Sequence, residues 1–352
     1  MNTASNPIIR HPDRLNEIVR TIFIAAGSSD REATLVADHL VEANLKGHDS
    51  HGVGMIPAYI DSARTGCLTL NQRLSVTLDA GPLILCDGLV GLGQAMAHDA
   101  ISIGIERALA TGGCILGLRN SHHIGRIGHW AEQCAAAGLV SIHFVNVVSQ
   151  PSVAPFGGTQ ARVGTNPFAV GIPRAQQPPL IIDFATSRLA MGKVRVAFNK
   201  GESVPPGSLL DASGQPTNDP AVMFGEPIGA LLPFGEHKGW GLSLACELLG
   251  AALTGGKTQS GPKRSAAIIN SMLSILVSAE HLGTAASFND EMDAFVAWVR
   301  TGATKAMQVR FPGDPERAIK QQRERDGIPI DPTTWNEIMK AAKAVGVMDL
   351  DQ

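Results

Sequence analysis

The chain has 352 residues, 44% hydrophobic and 17% charged, with a formal net charge of -3, so it can bury a large core and has no Lys/Arg run of the kind that tracks nucleic-acid phosphates. Its five scattered cysteines form no C-x-x-C pair, which excludes a disulfide framework and a thiolate zinc site. With no apolar leader and no run of about 18 apolar residues, the expectation is a cytoplasmic protein that engages neither membrane nor nucleic acid.

In chain order, residues 13–46 place Leu15, Ile18, Ile22 and Phe23 on one helical face and, after a break at Gly27-Ser28-Ser29, Ala33, Leu35, Val36, Leu40, Val41 and Leu45 on a second. A helical pair is predicted. "GHDSHGVGMIPAYI" (47–60) then crowds His48, Asp49, Ser50 and His51 against Met55, Ile56 and Tyr59, and reads as the wall of a site. A β-rich stretch (74–86), a helix (93–110) and an apolar strand (114–120) follow, then three strands within 139–147, 164–173 and 178–186, each ending in a polar group. "HKGWGLSLACELLGAALTGG" (237–256) has Leu242, Leu244, Ala245, Leu248, Leu249 and Ala252 at helical spacing and stops at Gly255-Gly256. A strand (271–278), an amphipathic helix (288–301) and a last helix after Gly327 complete the chain. This order predicts a mainly helical domain built from both termini (1–80 plus 285–352) around a central α/β domain with a mixed sheet (81–284).

"NSHHIGRIGHW" (120–130) directly follows a strand, so Ser121, His122, His123 and Arg126 belong at a strand end, where ligands gather in α/β proteins. Either imidazole alone can be structural, but a pair in one loop favours a site. Gly125-Arg126-Ile127-Gly128 can offer backbone N–H groups and a guanidinium to an anion. "DGLVGLGQAMA" (87–97) lacks the glycine spacing of a dinucleotide fingerprint and reads as a turn into a buried helix. A serine hydrolase is disfavoured, because Ser50 and His51 are neighbours that point apart and no G-x-S-x-G elbow occurs. His48, His51, His122, His123 and His237 leave a zinc site open, although no H-E-x-x-H is present. A histidine held by a hydroxyl and a carboxylate suits proton donation to an oxygen. Asp183, the one carboxylate in an apolar strand, either has such a partner or caps a helix.

The blocks "DSHGVGMIPAY", "NSHHIG", "GTNPFAVGIP", "IIDFATS", "GKVRVA", "HKGWGLSLACELLGAALTGG" and "PGDPER" run in this order over nearly the whole chain. Together they resemble the malate/L-lactate dehydrogenase type II family of NAD(P)-dependent oxidoreductases, and most closely a branch that reduces 2-oxo acids, aromatic ones included, to 2-hydroxy acids. The resemblance implies an α/β dinucleotide-binding fold of the family's own rather than a Rossmann domain, a homodimer, NAD or NADP as cofactor, and no metal. It implies a catalytic relay of Ser50, His51 and Asp183, with His51 the proton donor in reduction, and places His123 in the substrate pocket. For the cofactor it points to His51, to Gly125, Arg126 and Ile127, to Ile181, Ile182, Asp183, Phe184 and Ala185, to His237 at a helix head, to Asn270, and to Gly313, Asp314, Pro315 and Glu316. One departure stands out. Many members carry a carboxylate-clamping Arg four residues after the motif histidine, where this chain has Met55. The clamp then falls to His48, His123 or Arg126, while Met55, Ile56 and Tyr59 form an apolar wall suited to a longer or aromatic substrate side chain. The competing readings are a cyclic imino acid reductase or a ureidoglycolate/malate-type oxidoreductase of the same family, a His-based metal hydrolase, and a non-catalytic dinucleotide-binding protein.

Overall fold

In a computed structural model that describes residues 6–260, 267–304 and 307–348, a short strand β1 (Ile8–Arg10) leads into the predicted helical pair, α1 (Pro12–Ala25) and α2 (Asp30–Leu45). Pro12 opens α1 where its missing N–H is not needed, and the Ser29 side chain caps α2 by accepting from Glu32 N. Two 3-10 turns, Asp49–His51 and Val53–Met55, bring the chain to α3 (Ile56–Arg64).

The central part contributes β2 (Ser75–Ala80), β3 (Leu83–Asp87), α4 (Gly93–Thr111), β4 (Gly113–His122), α5 (Gly128–Ala136), β5 (Leu139–Val148), β6 (Phe168–Arg174) and β7 (Gln177–Phe184). After these come α6 (Met191–Lys200), the two-residue strands β8 (Leu209–Leu210), β9 (Pro216–Thr217) and β10 (Ala230–Leu231), α7 (His237–Glu247) and β11 (Ile269–Ser278). The chain continues through α8 (Ala285–Arg300), α9 (Asp314–Asp326), β12 (Ile328–Ile330) and α10 (Pro332–Ala344). Seven strands form a mixed sheet in the order β2-β3-β4-β11-β5-β6-β7, in which β3 and β4 run parallel and the other neighbours antiparallel.

Two cores flank the site. In the first, Leu15, Ile22 and Phe23 of α1, Leu40 of α2 and Tyr59 of α3 pack with Ile330, Trp335 and Ile338 from the far end of the sequence. The second packs Ile101 of α4 and Trp130 of α5 against Leu116, Leu118, Ile181 and Met272 of the sheet. Among the described residues, no helix is long and apolar enough to cross a membrane.

The structure corrects two expectations about helices. α7 does not run on as an α-helix to Gly255, because Leu248–Ala252 is a π-turn. Its leucines also face outward: Leu244 and Leu248 are 42% and 47% exposed, whereas Ser243, Cys246 and Glu247 are buried. The inner face must stay small and polar, since a Cβ on Gly250 would lie 2.7 Å from Phe144 O and Glu247 Oε2 accepts from Asn166 Nδ2 at 2.7 Å. The other is α9, a helix between α8 and Gly327 where the sequence reading places none. It buries no residue, so it carries no apolar periodicity to read.

Candidate active site

Ser50 and His51 occupy the 3-10 turn after α2 and, rather than pointing apart as helical neighbours would, meet with Ser50 Oγ 2.9 Å from His51 Nδ1. The His51 ring stacks on His123 at 5.7 Å with 26° between planes. His123 sits just past β4, in a loop pinned on three sides. Ile124 N donates to Asn270 Oδ1 (2.9 Å), Trp130 Nε1 to Ile124 O (3.2 Å), and Arg126 N to His39 Nε2 (2.9 Å). Gly125 takes φ +74°, and a Cβ there would lie 2.1 Å from the His39 ring, so the turn requires glycine. Gly93 of "DGLVGLG" is needed for close approach alone: a Cβ on it would lie 2.0 Å from His123 O. Asn270, anticipated at the cofactor, is 2% exposed, and its Nδ2 is given to Asn146 O at 2.8 Å. It holds the site loop.

Tyr59 does not line an open wall. Its ring is fully buried, and its hydroxyl lies 2.6 Å from His123 Nδ1. Ile56 is buried in the helical core, and half-buried Met55 packs against it. Asp49 is ion-paired with Arg323 of α9 at 2.6 Å and 3.0 Å, which docks that helix onto the Ser-His turn.

Asp183, near the end of β7, accepts from Gly128 N at 2.8 Å and lies 3.8 Å from Arg126 Nη1. It therefore caps α5, as one reading of the sequence allowed. Its action on His51 is through space: burial lowers the His51 pKa to about 4, and the Asp183 charge opposes that shift. Arg126, 3% exposed, is ion-paired with Glu132, which also takes Lys46 Nζ at 2.7 Å. Burial holds His39 and His123 well below the usual imidazole range, so the site is a cluster of neutral rings at pH 7.

Beside the cluster, a cleft of about 180 Å³ brings together His48, Arg126, Ile181, Asp183, Gly313 and Glu316, all anticipated from sequence. The turn before α9 is stapled to β7 by Ile181 N to Pro312 O (3.4 Å) and Arg317 Nη1 to Pro179 O (3.1 Å), and Asp314 Oδ2 closes the turn on Phe311 N at 2.9 Å. Pro315 follows as an early residue of α9. Ile127 is instead enclosed in the second core. Phe184 is 37% exposed and Ile182 and Ala185 half-buried. His237 is exposed at the head of α7, its ring 6.0 Å from Phe156, and Phe234 N to Thr186 O (3.1 Å) ties that helix head to the end of β7. Among the described residues, no three His, Cys, Asp or Glu side chains converge as a metal ion would need.

Gly192, in the first turn of α6, was not singled out in the sequence. A Cβ there would lie 2.0 Å from Ser50 Cβ. Gly192→Ala is therefore expected to displace Ser50 from His51 and lower kcat by about 10²-fold, the effect of a misplacement near 1 Å, with an unchanged circular dichroism spectrum. Wild-type kcat in the folded variant would show that the position of Ser50 does not matter.

A neutral histidine bonded to a serine, within the field of a carboxylate and beside a cleft, is equipment for moving a proton while a cofactor moves a hydride. Comparison with known proteins places the chain among the NAD(P)-dependent 2-hydroxy acid dehydrogenases. It belongs to the malate/L-lactate dehydrogenase family, whose sequence profile matches residues 11–339. The chain is 47% identical to hydroxycarboxylate dehydrogenase B of Escherichia coli K12 over 95% of its own length and 93% of that protein's. It is 39% identical to L-lactate dehydrogenase of Cupriavidus necator, over 94% and 96% of the two chains. Among solved structures, delta1-piperideine-2-carboxylate reductase from Pseudomonas syringae superposes with a TM-score of 0.84 at 30% identity, covering 95% of this chain and 99% of that one.

Proposed function

We propose that the protein reduces 2-oxo acids with a longer or aromatic side chain, of the phenylpyruvate, hydroxyphenylpyruvate or 2-oxoglutarate kind, reversibly to 2-hydroxy acids with His51 as proton donor. The observation that carries the proton transfer is the Ser50–His51 pair stacked on His123 in the field of Asp183, while the choice of side chain rests on Met55 standing in place of a clamping Arg. The cleft, about 180 Å³, suits one ribose of a dinucleotide. Glu316 Oε2 is a buried acceptor with no partner among the described residues, as a ribose hydroxyl needs. His48, Ile181, Asp183 and the turn at Gly313–Glu316 are the residues that would hold it, with His237, Phe184, Gly125 and Arg126 at its margins. When bound, NADH or NADPH supplies the hydride.

In reduction, His51 takes up a proton from solvent and, as the imidazolium, gives one from Nε2 to the substrate oxygen, ending neutral with Nδ1–H on Ser50. The Ser50 hydroxyl accepts from the imidazolium, and the Asp183 charge offsets part of the burial that otherwise holds the ring neutral. In the reverse direction, neutral His51 takes the hydroxyl proton. With Arg126 buried against Glu132 and Asp183 and His48 in the cofactor cleft, His123 is the group left to meet the substrate carboxylate. Exposed Leu244, Leu248 and Leu253, with Phe295 and Trp298 of α8, support a homodimer, measurable by sedimentation equilibrium. The first core supports joining the two ends of the chain in one unit, read as 1–80 plus 285–352 around 81–284, although β2 (Ser75–Ala80) pairs with β3 in the central sheet and so belongs with the second unit. The proposed location is the cytoplasm.

The test is oxidation of NADH and NADPH in the presence of phenylpyruvate, 2-oxoglutarate, oxaloacetate, pyruvate and delta1-piperideine-2-carboxylate. Turnover of the imine alone would favour the imino acid reading, which the Pseudomonas likeness supports. No turnover of any compound would refute both. Met55→Arg is expected to raise the ratio of kcat/KM for oxaloacetate over phenylpyruvate by about 1–3 kcal/mol, the worth of one charge-assisted hydrogen bond. A flat ratio would place Met55 away from the substrate side chain.

A further inference from the structure

Three buried side chains from separate elements form a hydrogen-bonded row behind the stacked histidines. Gln94, in the first turn of α4, donates from Nε2 to the Tyr59 hydroxyl at 3.0 Å, and that hydroxyl lies 2.6 Å from His123 Nδ1. Gln94, Tyr59 and His123 are 1%, 0% and 9% exposed, so solvent does not compete for these bonds. A phenol has one proton to give. With its oxygen accepting from Gln94, that proton goes to His123 Nδ1. Turning the Gln94 amide over would put both Nε2 hydrogens where Oε1 now lies buried without a partner among the described residues, orphaning two donors in place of one acceptor. Burial also keeps the Tyr59 phenol protonated, and burial followed by the neighbouring His51 and His122 keeps His123 neutral, with a single N–H.

From this row we infer that Gln94 and Tyr59 lock His123 into its Nε2–H tautomer, making it a permanent hydrogen-bond donor to an acceptor oxygen of the substrate and leaving proton exchange to His51. The nature of that oxygen, carboxylate or carbonyl, rests on the 2-oxo acid reading. His51 differs in kind, because its Nδ1 faces the Ser50 hydroxyl, which can either donate or accept and so permits both tautomers. Tyr59 and Gln94 are thus positioning residues that act through His123.

Long-range proton–nitrogen NMR of the ligand-free protein, with His123 assigned by its loss in His123→Gln, reads the tautomer directly. The expected wild-type spectrum shows Nε2 protonated and Nδ1 as an acceptor, and Tyr59→Phe, which keeps the ring against Phe23, shows a tautomer mixture. Wild-type His123 protonated at Nδ1 overturns the inference, and this spectrum decides even if Tyr59→Phe does not fold. In kinetics, Tyr59→Phe is expected to raise KM for the 2-oxo acid about tenfold, the loss of one oriented hydrogen bond, with a smaller change in kcat. In a His123→Gln background, whose amide donates without help from Tyr59, the same change is expected to have little effect. Equal effects in both backgrounds would sink the assignment. A protein that turns over no 2-oxo acid yet shows the Nε2–H form refutes the proposed activity and leaves the tautomer lock standing.

Discussion

Replacing His51 with alanine is expected to lower kcat by about 10²–10⁴-fold, the range for removal of a general acid, while the dissociation constant for the dinucleotide changes far less. The asymmetry follows from where His51 stands. Its ring is held between Ser50 Oγ and the face of His123 rather than in the cleft lined by His48, Arg126, Asp183 and Glu316. Loss of the imidazole therefore removes the proposed proton donor and leaves the cleft's charged groups in place. Stopped-flow measurement of the chemical step, together with fluorescence titration of NADH, separates the two quantities. A mutant with wild-type kcat would move proton transfer to His123 and overturn the locked-donor assignment as well.

Acid is expected to destabilise the fold steeply between about pH 6.5 and pH 4. Burial lowers His51 and His129 to about 4 and His143 to about 3, and holds His39 and His123 well below the usual value. The unfolded chain takes up these protons near pH 6.5, whereas the folded chain refuses them until far lower pH, so the stabilisation is complete above 6.5 and drains away as pH falls toward the folded values. At about 1.4 kcal/mol per pKa unit, His129 alone removes about 3 kcal/mol by pH 4. Melting temperatures recorded from pH 8 to pH 4.5 check this: they should be flat at the upper end and fall progressively below pH 6.5. A Tm unchanged from pH 7 to pH 5 would mean that these rings are solvated or already charged in the native state.

Much of this could be read from residue order because burial and periodicity coincide in α1 and α2, whose apolar faces meet the core as predicted. The same logic failed for α9, which docks through Arg323 on Asp49 and Lys320 on Glu42 and leaves no apolar stripe. It also misjudged which side of α7 faces inward, since periodicity marks a helix's two faces but not what covers each. In the site, Ser50, His51, His123 and Asp183 were visible as chemistry set into apolar surroundings. Gly192, Gln94 and His39 were not, because what makes them matter is a close approach to a residue far away in sequence: Ser50, Tyr59 and Gly125. Tyr59 was seen but misassigned, since an aromatic ring at the edge of a motif reads as a wall until its hydroxyl's partner is known.

The first core has a bearing on how the protein is made. β1 waits for β12, and the helical pair waits for Trp335 and Ile338, while Gly313, Glu316 and Arg317 complete a cleft whose other walls leave the ribosome far earlier. A nascent chain halted between β7 and α9 already carries Ser50, His51, His123 and Asp183, yet holds Ile22, Leu40 and Tyr59 without their late partners. Such long-range closure is slow and exposes apolar surface while it waits. Competence therefore arrives as one late event in biosynthesis, and an interrupted product is a substrate for chaperones rather than a partial enzyme.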